Sequence, residues 1–248
     1  MKYATGYNLK KRSITEIIRE YGFKYSIRAI FRITIIGFLI YINPTLVKRT
    51  LLIDNTEISY LRPLNFFNSL RIGERVVEIP IIQYLYMKEK PANVLEIGNV
   101  TSQWFHIPNL RIVDKYEIGE NIINEDIDTF ESNNKYDMII SISTIEHIGF
   151  DEEHKDPDKP FRVINKLVTL LKEHGTLIIT VPLNYNPSMD LIIKNHIKLF
   201  SNAIFLRRIS EFNNWMQVSY KDTLNLKYDS KYLKANAIAI LIVGNLSF

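Results

Sequence analysis

Five short stretches of this chain combine residue types that do chemistry. Leu95-Glu96-Ile97-Gly98-Asn99 ends an apolar run in an acid, a glycine and an amide. A glycine just past a strand lets the backbone approach a ligand closely. Asp114 ends Arg111-Ile112-Val113-Asp114, eighteen residues after Glu96. A carboxylate at a strand end there can accept two hydrogen bonds from a ribose diol. Asp126 and Ile127 follow twelve residues further on. The run from Tyr136 carries Ser141 and Ser143 into Thr144-Ile145-Glu146-His147, and His174-Gly175 opens a fifth run that ends at Pro182. An imidazole titrates near neutrality, so His147 can serve as a general base; it can equally cap or pack at a helix start. Glu146 can orient His147, bind an acceptor, or simply be a first-turn acid favoured by the helix dipole.

These residues need a frame that brings strand ends together. Apolar runs at 94–98, 111–113, 121–123, 138–143, 176–181, 204–209 and 237–243 read as strands. Helical spacing fits 75–88, despite Pro80, and also 161–172 and 190–200. Strands interleaved with helices predict a doubly wound, mostly parallel α/β sheet of seven strands. The first strands are too apolar to have a wet face, which suits strands buried on both sides. In such a sheet the ligand sits at the carboxyl ends of the strands, near the switch point. All five chemical stretches fall there. Residues 45–70 mix short apolar runs with Asp54-Asn55 and Arg62-Pro63 and read as irregular.

Composition narrows the classes. The chain has 248 residues and no cysteine, which excludes disulfides, zinc–thiolate sites, iron–sulfur clusters and a cysteine nucleophile. G-x-G-x-x-G would need glycines where Val100 and Gln103 stand, so a nicotinamide enzyme is not indicated. Neither a phosphate-binding G-x-x-x-x-G-K-[ST] loop nor a G-x-S-x-G elbow is present. The run Asp151-Glu152-Glu153-His154-Lys155-Asp156 holds metal-ligand types, but before Pro157 and Pro160 it reads as a solvated loop on the substrate side, and no metal is expected. Trp104 and His106 read as packing residues. Asn214-Trp215 offers a stacking platform for a sugar or base, or a partly buried Trp. Arg207 and Arg208 fall on opposite faces of a strand.

In order and spacing, LEIG, VDK, EDI, YDMIIS with STIEH, and HGTLIITVP resemble the class I S-adenosylmethionine-dependent methyltransferases across residues 74–182. GERVVEIP, LEIGNV, VDKYE, INEDI and ISISTIEHIGFDE look like a branch found among sugar- and cell-surface-modifying proteins. The resemblance implies that Glu96, Gly98 and Asn99 line the methionine part of S-adenosylmethionine and that Asp114 holds its ribose. It implies adenine contacts for Asp126 and the Ile127 backbone. Ser141 and Ser143 would lie beneath the sulfonium, with Arg75 and Glu78 closing the site. The family's first loop holds several glycines, whereas here Gly98 is followed by Asn99, Val100 and Thr101, leaving room for a helix of about two turns before the second strand. The implied activity is methyl transfer to an oxygen or nitrogen of a small-molecule or glycan-type acceptor. A non-catalytic domain that keeps the fold as a binding or scaffolding unit is the alternative.

Charge is distributed unevenly. Residues 1–75 hold 13 Lys and Arg against 5 Asp and Glu, and residues 76–248 hold 18 against 22. Residues 1–73 therefore read as a basic, partly amphipathic helical extension, and 74–248 as the methyltransferase-like domain. Ser13 and Glu16 form a capping box for a helix over 13–21. In the helix expected over 25–42, Arg28 and Arg32 share one face, and Ile27, Ile30, Phe31, Ile35 and Phe38 share another. Its uninterrupted apolar part, 33–42, covers ~15 Å, half a bilayer core. Residues 1–45 are thus expected to dock on an anionic membrane surface or on the body rather than to span. The chain is expected in the cytoplasm, peripheral to the membrane. Nucleic acid is not an expected partner, because the basic arm lacks interleaved aromatic and glycine motifs.

Overall fold

The computed structural model describes residues 48–61, 73–210, 213–232, 234–246 and 248, with isolated positions 19, 22, 23, 27, 31, 34, 35 and 38. The helices expected over 13–21 and 25–42 lie almost wholly outside the described residues. Positions 19, 23, 27, 31, 34, 35 and 38 are helical.

Lys48–Ile53 (β1) and Thr56–Leu61 (β2) form an antiparallel hairpin. This corrects the irregular reading of 45–70 within the extension expected over 1–73. Leu51, Ile53, Ile58 and Tyr60 are buried, while Leu52 is exposed. That is period-two alternation about the two-residue loop Asp54-Asn55, where Asp54 has φ 51°. The hairpin packs on the main domain, so the domain boundary expected at 73/74 does not separate two bodies. Arg49 Nε donates to Asn214 Oδ1 at 3.0 Å, and Gln217 Nε2 to Asp54 Oδ1 at 2.9 Å.

Helix α1 (Arg75–Glu89) runs through Pro80 without a break. Losing one helical bond costs roughly 3 kcal/mol, and burial of Ile79, Ile81, Ile82 and Leu85 offsets it. The sheet follows: β3 (Val94–Ile97), β4 (Arg111–Val113), β5 (Ile122–Ile123), β6 (Tyr136–Ile142), β7 (Leu171–Pro182), β8 (Asn202–Arg208), β9 (Trp215–Val218) and β10 (Ala237–Val243). Helices α2 (Lys159–Thr169) and α3 (Pro187–His196) follow β6 and β7.

The strand order is β5-β4-β3-β6-β7-β10-β8-β9. β5, β4, β3, β6 and β7 are parallel neighbours; β10 runs antiparallel between β7 and β8. This is the doubly wound methyltransferase-type sheet that the resemblance requires, with the last strand inserted antiparallel. It has eight strands rather than seven, because Trp215–Val218 adds an edge antiparallel to β8. One apolar layer joins the sheet to α2 and α3. The other joins it to α1 and the hairpin.

The connection from β3 to β4 carries a single 3-10 turn, Thr101–Gln103, in place of the two-turn helix expected. Trp104, Phe105 and Leu110 cover part of the sheet in its stead. A cavity of about 560 Å³ opens beside them, lined by Trp104, Phe105, His106, Leu110, Ile112 and Asn121. Leu110 and Asn121 precede β4 and β5, so this cavity faces the amino ends of those strands.

Candidate functional site

The parallel registers set the carboxyl ends of β3, β4 and β6 level. Ile97 pairs with Val113 on one side and Ser141 on the other. Gly98 follows with φ 82°, a left-handed backbone that favours glycine. A Cβ there would meet Thr144 Oγ1 at 2.5 Å, so the loop after β6 closes directly onto the loop after β3. Glu96 is fully buried and faces inward. It accepts from the Thr101 amide at 2.7 Å, the Thr101 hydroxyl at 2.6 Å and the Val100 amide at 3.1 Å. Burial pushes its carboxyl up to about 7, against the pull of those donors. Glu96 thus holds the short turn that replaces the first crossover helix.

Asp114 gathers the neighbouring loop. Its Oδ1 accepts from the amides of Tyr116 and Glu117, each at 2.8 Å, and its Oδ2 from the Asn99 amide at 3.3 Å. Asn99 Nδ2 donates to Glu117 Oε1 at 2.7 Å. Asp114 and Asn99 are therefore joined across the two loops.

Asp126 is placed differently from the free adenine acceptor expected of it. Lys115 Nζ and Lys159 Nζ lie 2.8 and 2.6 Å from its Oδ2. Both lysines also bind Glu152, at 3.0 and 2.8 Å. The desolvation of this half-buried group is outweighed by the two lysines, which pull the Asp126 carboxyl down to about 2. Glu152 is lowered in the same way, against its own burial. Lys159 opens α2, where a cation opposes the helix dipole, and the two carboxylates offset that cost. Ile127 is buried in the core beneath.

A second ionic group lies under the end of β6. Ser143, with φ 38°, donates from Oγ to Glu78 Oε1 at 2.6 Å. Arg75 Nη1 donates to Glu78 Oε2 at 2.7 Å and Nη2 to the Ser143 carbonyl at 3.3 Å. Helix α1 is thereby tied to the loop after β6 through Arg75 and Glu78. Beside them, Glu74 is buried and accepts from the Ala235 amide at 3.3 Å. Glu146 is fully buried, and neither of its carboxylate oxygens has a hydrogen-bond partner; Ser141 Oγ also has none. Burial pushes Glu146 well above the carboxylate range, and Glu78 and Glu74 add to it against Arg75.

His147 is half exposed at the same rim. Its Nδ1 bonds Asp151 Oδ2, and Tyr185 donates from its hydroxyl to the same oxygen at 2.6 Å. Its Nε2 lies 3.6 Å from Glu146 Oε1. With Nδ1–H donating to the carboxylate, Nε2 is left with a free lone pair. Tyr185 escaped the sequence reading because it comes from the loop after β7 and only the fold brings it to His147; Asp151, four residues from His147, was read only as part of the acidic loop.

Other candidates are structural. Trp215 is buried, with Nε1 donating to Asn213 Oδ1 at 2.9 Å, so it offers no stacking face. Arg208 is buried over the Tyr232 ring at 4.9 Å. Within the acidic loop, Glu152 serves the lysines and Asp156 pairs with Arg162 at 2.9 Å.

No family model matches the chain, and no curated protein matches it. Among solved structures it is similar to the N-methyltransferase NodS of Bradyrhizobium japonicum WM9 bound to S-adenosyl-L-homocysteine. That match has a TM-score of 0.42 and 10% identity, covering 67% of this chain and 84% of that one. A S-adenosylmethionine-dependent methyltransferase of Clostridium acetobutylicum ATCC 824 gives 0.36 and 15%, covering 66% and 89%. A possible histamine N-methyltransferase of Thermotoga maritima gives 0.37 and 13%, covering 62% and 82%. The fold assignment rests on the strand order.

The rim fits a ligand that carries a diol. The Asp114 carboxylate, with about four acceptor sites, has capacity beyond its three backbone donors. The orphaned Ser141 hydroxyl lies near the β6 end, where a buried polar group without a partner is costly.

Proposed function

We propose that this protein transfers a methyl group from S-adenosylmethionine to an oxygen or nitrogen of a small-molecule or glycan-type acceptor. The observation that carries the reading is convergence: Gly98, Asp114 and the His147–Asp151 pair stand on one rim of a methyltransferase-type sheet. When bound, the cofactor supplies an electrophilic methyl on a sulfonium. Asp114 accepts from the ribose hydroxyls, and Gly98 and Asn99 shape the floor beside them. Arg75 and Glu78 clamp Ser143 and hold the β6 loop in place. His147 takes the acceptor proton at Nε2, and Asp151 keeps the ring in the required tautomer and stabilises its charged form. Positioning supplies much of the rest, because in-line transfer needs acceptor and methyl in near-attack geometry.

A second reading, a binding or scaffolding unit without turnover, is favoured by one observation: Lys115 and Lys159 bind the Asp126 carboxylate expected at the adenine. Titration of the purified chain with S-adenosylhomocysteine separates the two. A single saturable site supports the first, and no binding supports the second.

Residues 1–45 fit a docking arm for an anionic membrane surface, which would place the enzyme at the cytoplasmic face. Support comes from the basic charge of the first 75 residues and from Phe23, Ile27, Phe31 and Phe38, all half or more exposed and at helical spacing. No helix among the described residues is long and apolar enough to cross a membrane. Binding to anionic vesicles should weaken as the Debye length shortens from ~10 Å at 0.1 M salt to ~3 Å at 1 M. Salt-insensitive retention would point to insertion instead.

A further inference from the structure

The acceptor side of the rim is chemically one-sided. Glu74, Glu78 and Glu146 gather under it with Asp151 at its edge, against the single guanidinium of Arg75. Glu78 takes that guanidinium at 2.7 Å, which leaves Glu146 buried with no hydrogen-bond partner. An aromatic cluster lies beside Glu146, linked to it through His147, whose Nε2 is 3.6 Å from Glu146 Oε1. Tyr185 meets the His147 ring edge-on at 5.2 Å, Phe150 at 5.5 Å and Tyr228 at 4.9 Å. Lys155 Nζ, which donates to the Phe150 carbonyl, lies 5.4 Å from the Phe150 ring centre. Aromatic rings beside an uncompensated carboxylate favour a cation. Anions would meet like charge, and neutral hydroxyl acceptors would find no donor set built for them.

We propose that the acceptor is a cationic amine, received at the solvent-facing edge of the packed Tyr185, Phe150 and Tyr228 rings beside the half-exposed His147, with the buried charge of Glu146 as its counter-ion. This rests on the methyl-transfer reading and chooses nitrogen over oxygen. A nitrogen ~3 Å from His147 Nε2 would lie within about 7 Å of Glu146 Oε1, given their 3.6 Å separation, close enough for the buried carboxylate to attract it without direct contact. One N–H proton passes to His147 Nε2, and the freed lone pair forms the new N–C bond. The C–S bond breaks with its electron pair going to sulfur, leaving a neutral thioether and a methylated ammonium. His147 is the catalytic residue; Glu146 positions and attracts. In the free protein, burial favours the protonated form of Glu146, so an arriving cation displaces that proton. Arg75, Glu78, Glu74, His147 and the Tyr228 phenol are charged or titratable groups that face it.

The test compares 2-phenylethylamine, 2-phenylethanol and phenylacetate by calorimetry on the full chain, with and without S-adenosylhomocysteine, in buffers of different ionisation enthalpy. The amine should bind about tenfold or more tightly than the alcohol, with phenylacetate weakest. Its binding should release protons. Glu146→Gln should abolish the proton release and most of the amine preference while leaving S-adenosylhomocysteine affinity unchanged. Tyr185→Ala, at a partly exposed position, should weaken the amine more than the alcohol. Equal or tighter binding of the alcohol or the carboxylate overturns the proposal, as does amine preference that survives both substitutions. Failure of S-adenosylhomocysteine to bind while amine selectivity persists would overturn the methyl-transfer reading alone.

Discussion

Around Asp126 every charge meets its opposite, and around Glu146 they do not. Lys115 and Lys159 each touch both Asp126 and Glu152, and all four contacts fall between 2.6 and 3.0 Å. Under the end of β6, by contrast, Arg75 serves Glu78 while Glu146 stays buried and unpartnered. Both groups sit on one rim, yet the first ties the loop after β4, the loop after β5, the acidic loop and the start of α2 into a closed unit. A satisfied buried network stabilises and specifies structure. An unsatisfied one costs stability, and such cost gathers where a ligand completes the set. The difference separates architecture from chemistry within a few residues of sequence.

The largest expected effect falls on the chemical side. His147→Gln should lower turnover by about 10²–10⁴-fold, with folding stability and S-adenosylhomocysteine affinity nearly intact. Single-turnover kinetics and a thermal melt check both halves. A small rate effect would return His147 to the plain role of a helix-start residue. On the architectural side, Lys159→Met should cost about 1–3 kcal/mol, because it leaves two partly buried carboxylates to share Lys115 alone. Urea unfolding measures it, and a loss under ~0.5 kcal/mol would show the ring to be no stronger than a surface pair.

The two groups should also respond to pH with opposite signs. Asp126 is depressed from 3.8 to about 2, so its stabilisation is full above pH 4 and lost as pH falls toward 2. Glu146 is raised above 4.5, so the folded state binds its proton more tightly than the unfolded chain does. Its contribution is therefore best below pH 4.5 and declines as pH rises. Glu96 and Glu74 are raised too and add to that decline, so the informative quantity is a difference between proteins. Between pH 5 and pH 8, Glu146→Gln should lose less stability than the parent. Parallel pH profiles would mean that Glu146 has a partner in solution.

What could be read from the residues follows the same division. The central strands were plain, because runs such as Met138-Ile139-Ile140 and Leu177-Ile178-Ile179 are buried on both faces and leave no polar alternation to confuse them. Asp114 was legible from its place at a strand end. The hairpin at 48–61 carried its signal, alternating Leu51, Leu52 and Ile53 about Asp54-Asn55, but the polar interruptions hid it. The lysine–carboxylate ring was invisible, because Lys115, Asp126, Glu152 and Lys159 meet only through strand order. A buried Lys as first residue of a helix was its one local clue. The His147–Asp151 pair sits four residues apart, yet Tyr185 joins it from the next strand's loop, which no spacing announces.

The account depends most on Asp114 as the ribose anchor of a bound S-adenosylmethionine. Calorimetric titration of S-adenosylhomocysteine into the parent chain and into a folded Asp114→Ala variant tests it directly. Loss of charge-assisted hydrogen bonds worth ~1.5–3 kcal/mol predicts affinity reduced by about ten- to a hundredfold. Unchanged affinity in the variant, or no binding by the parent, would contradict it.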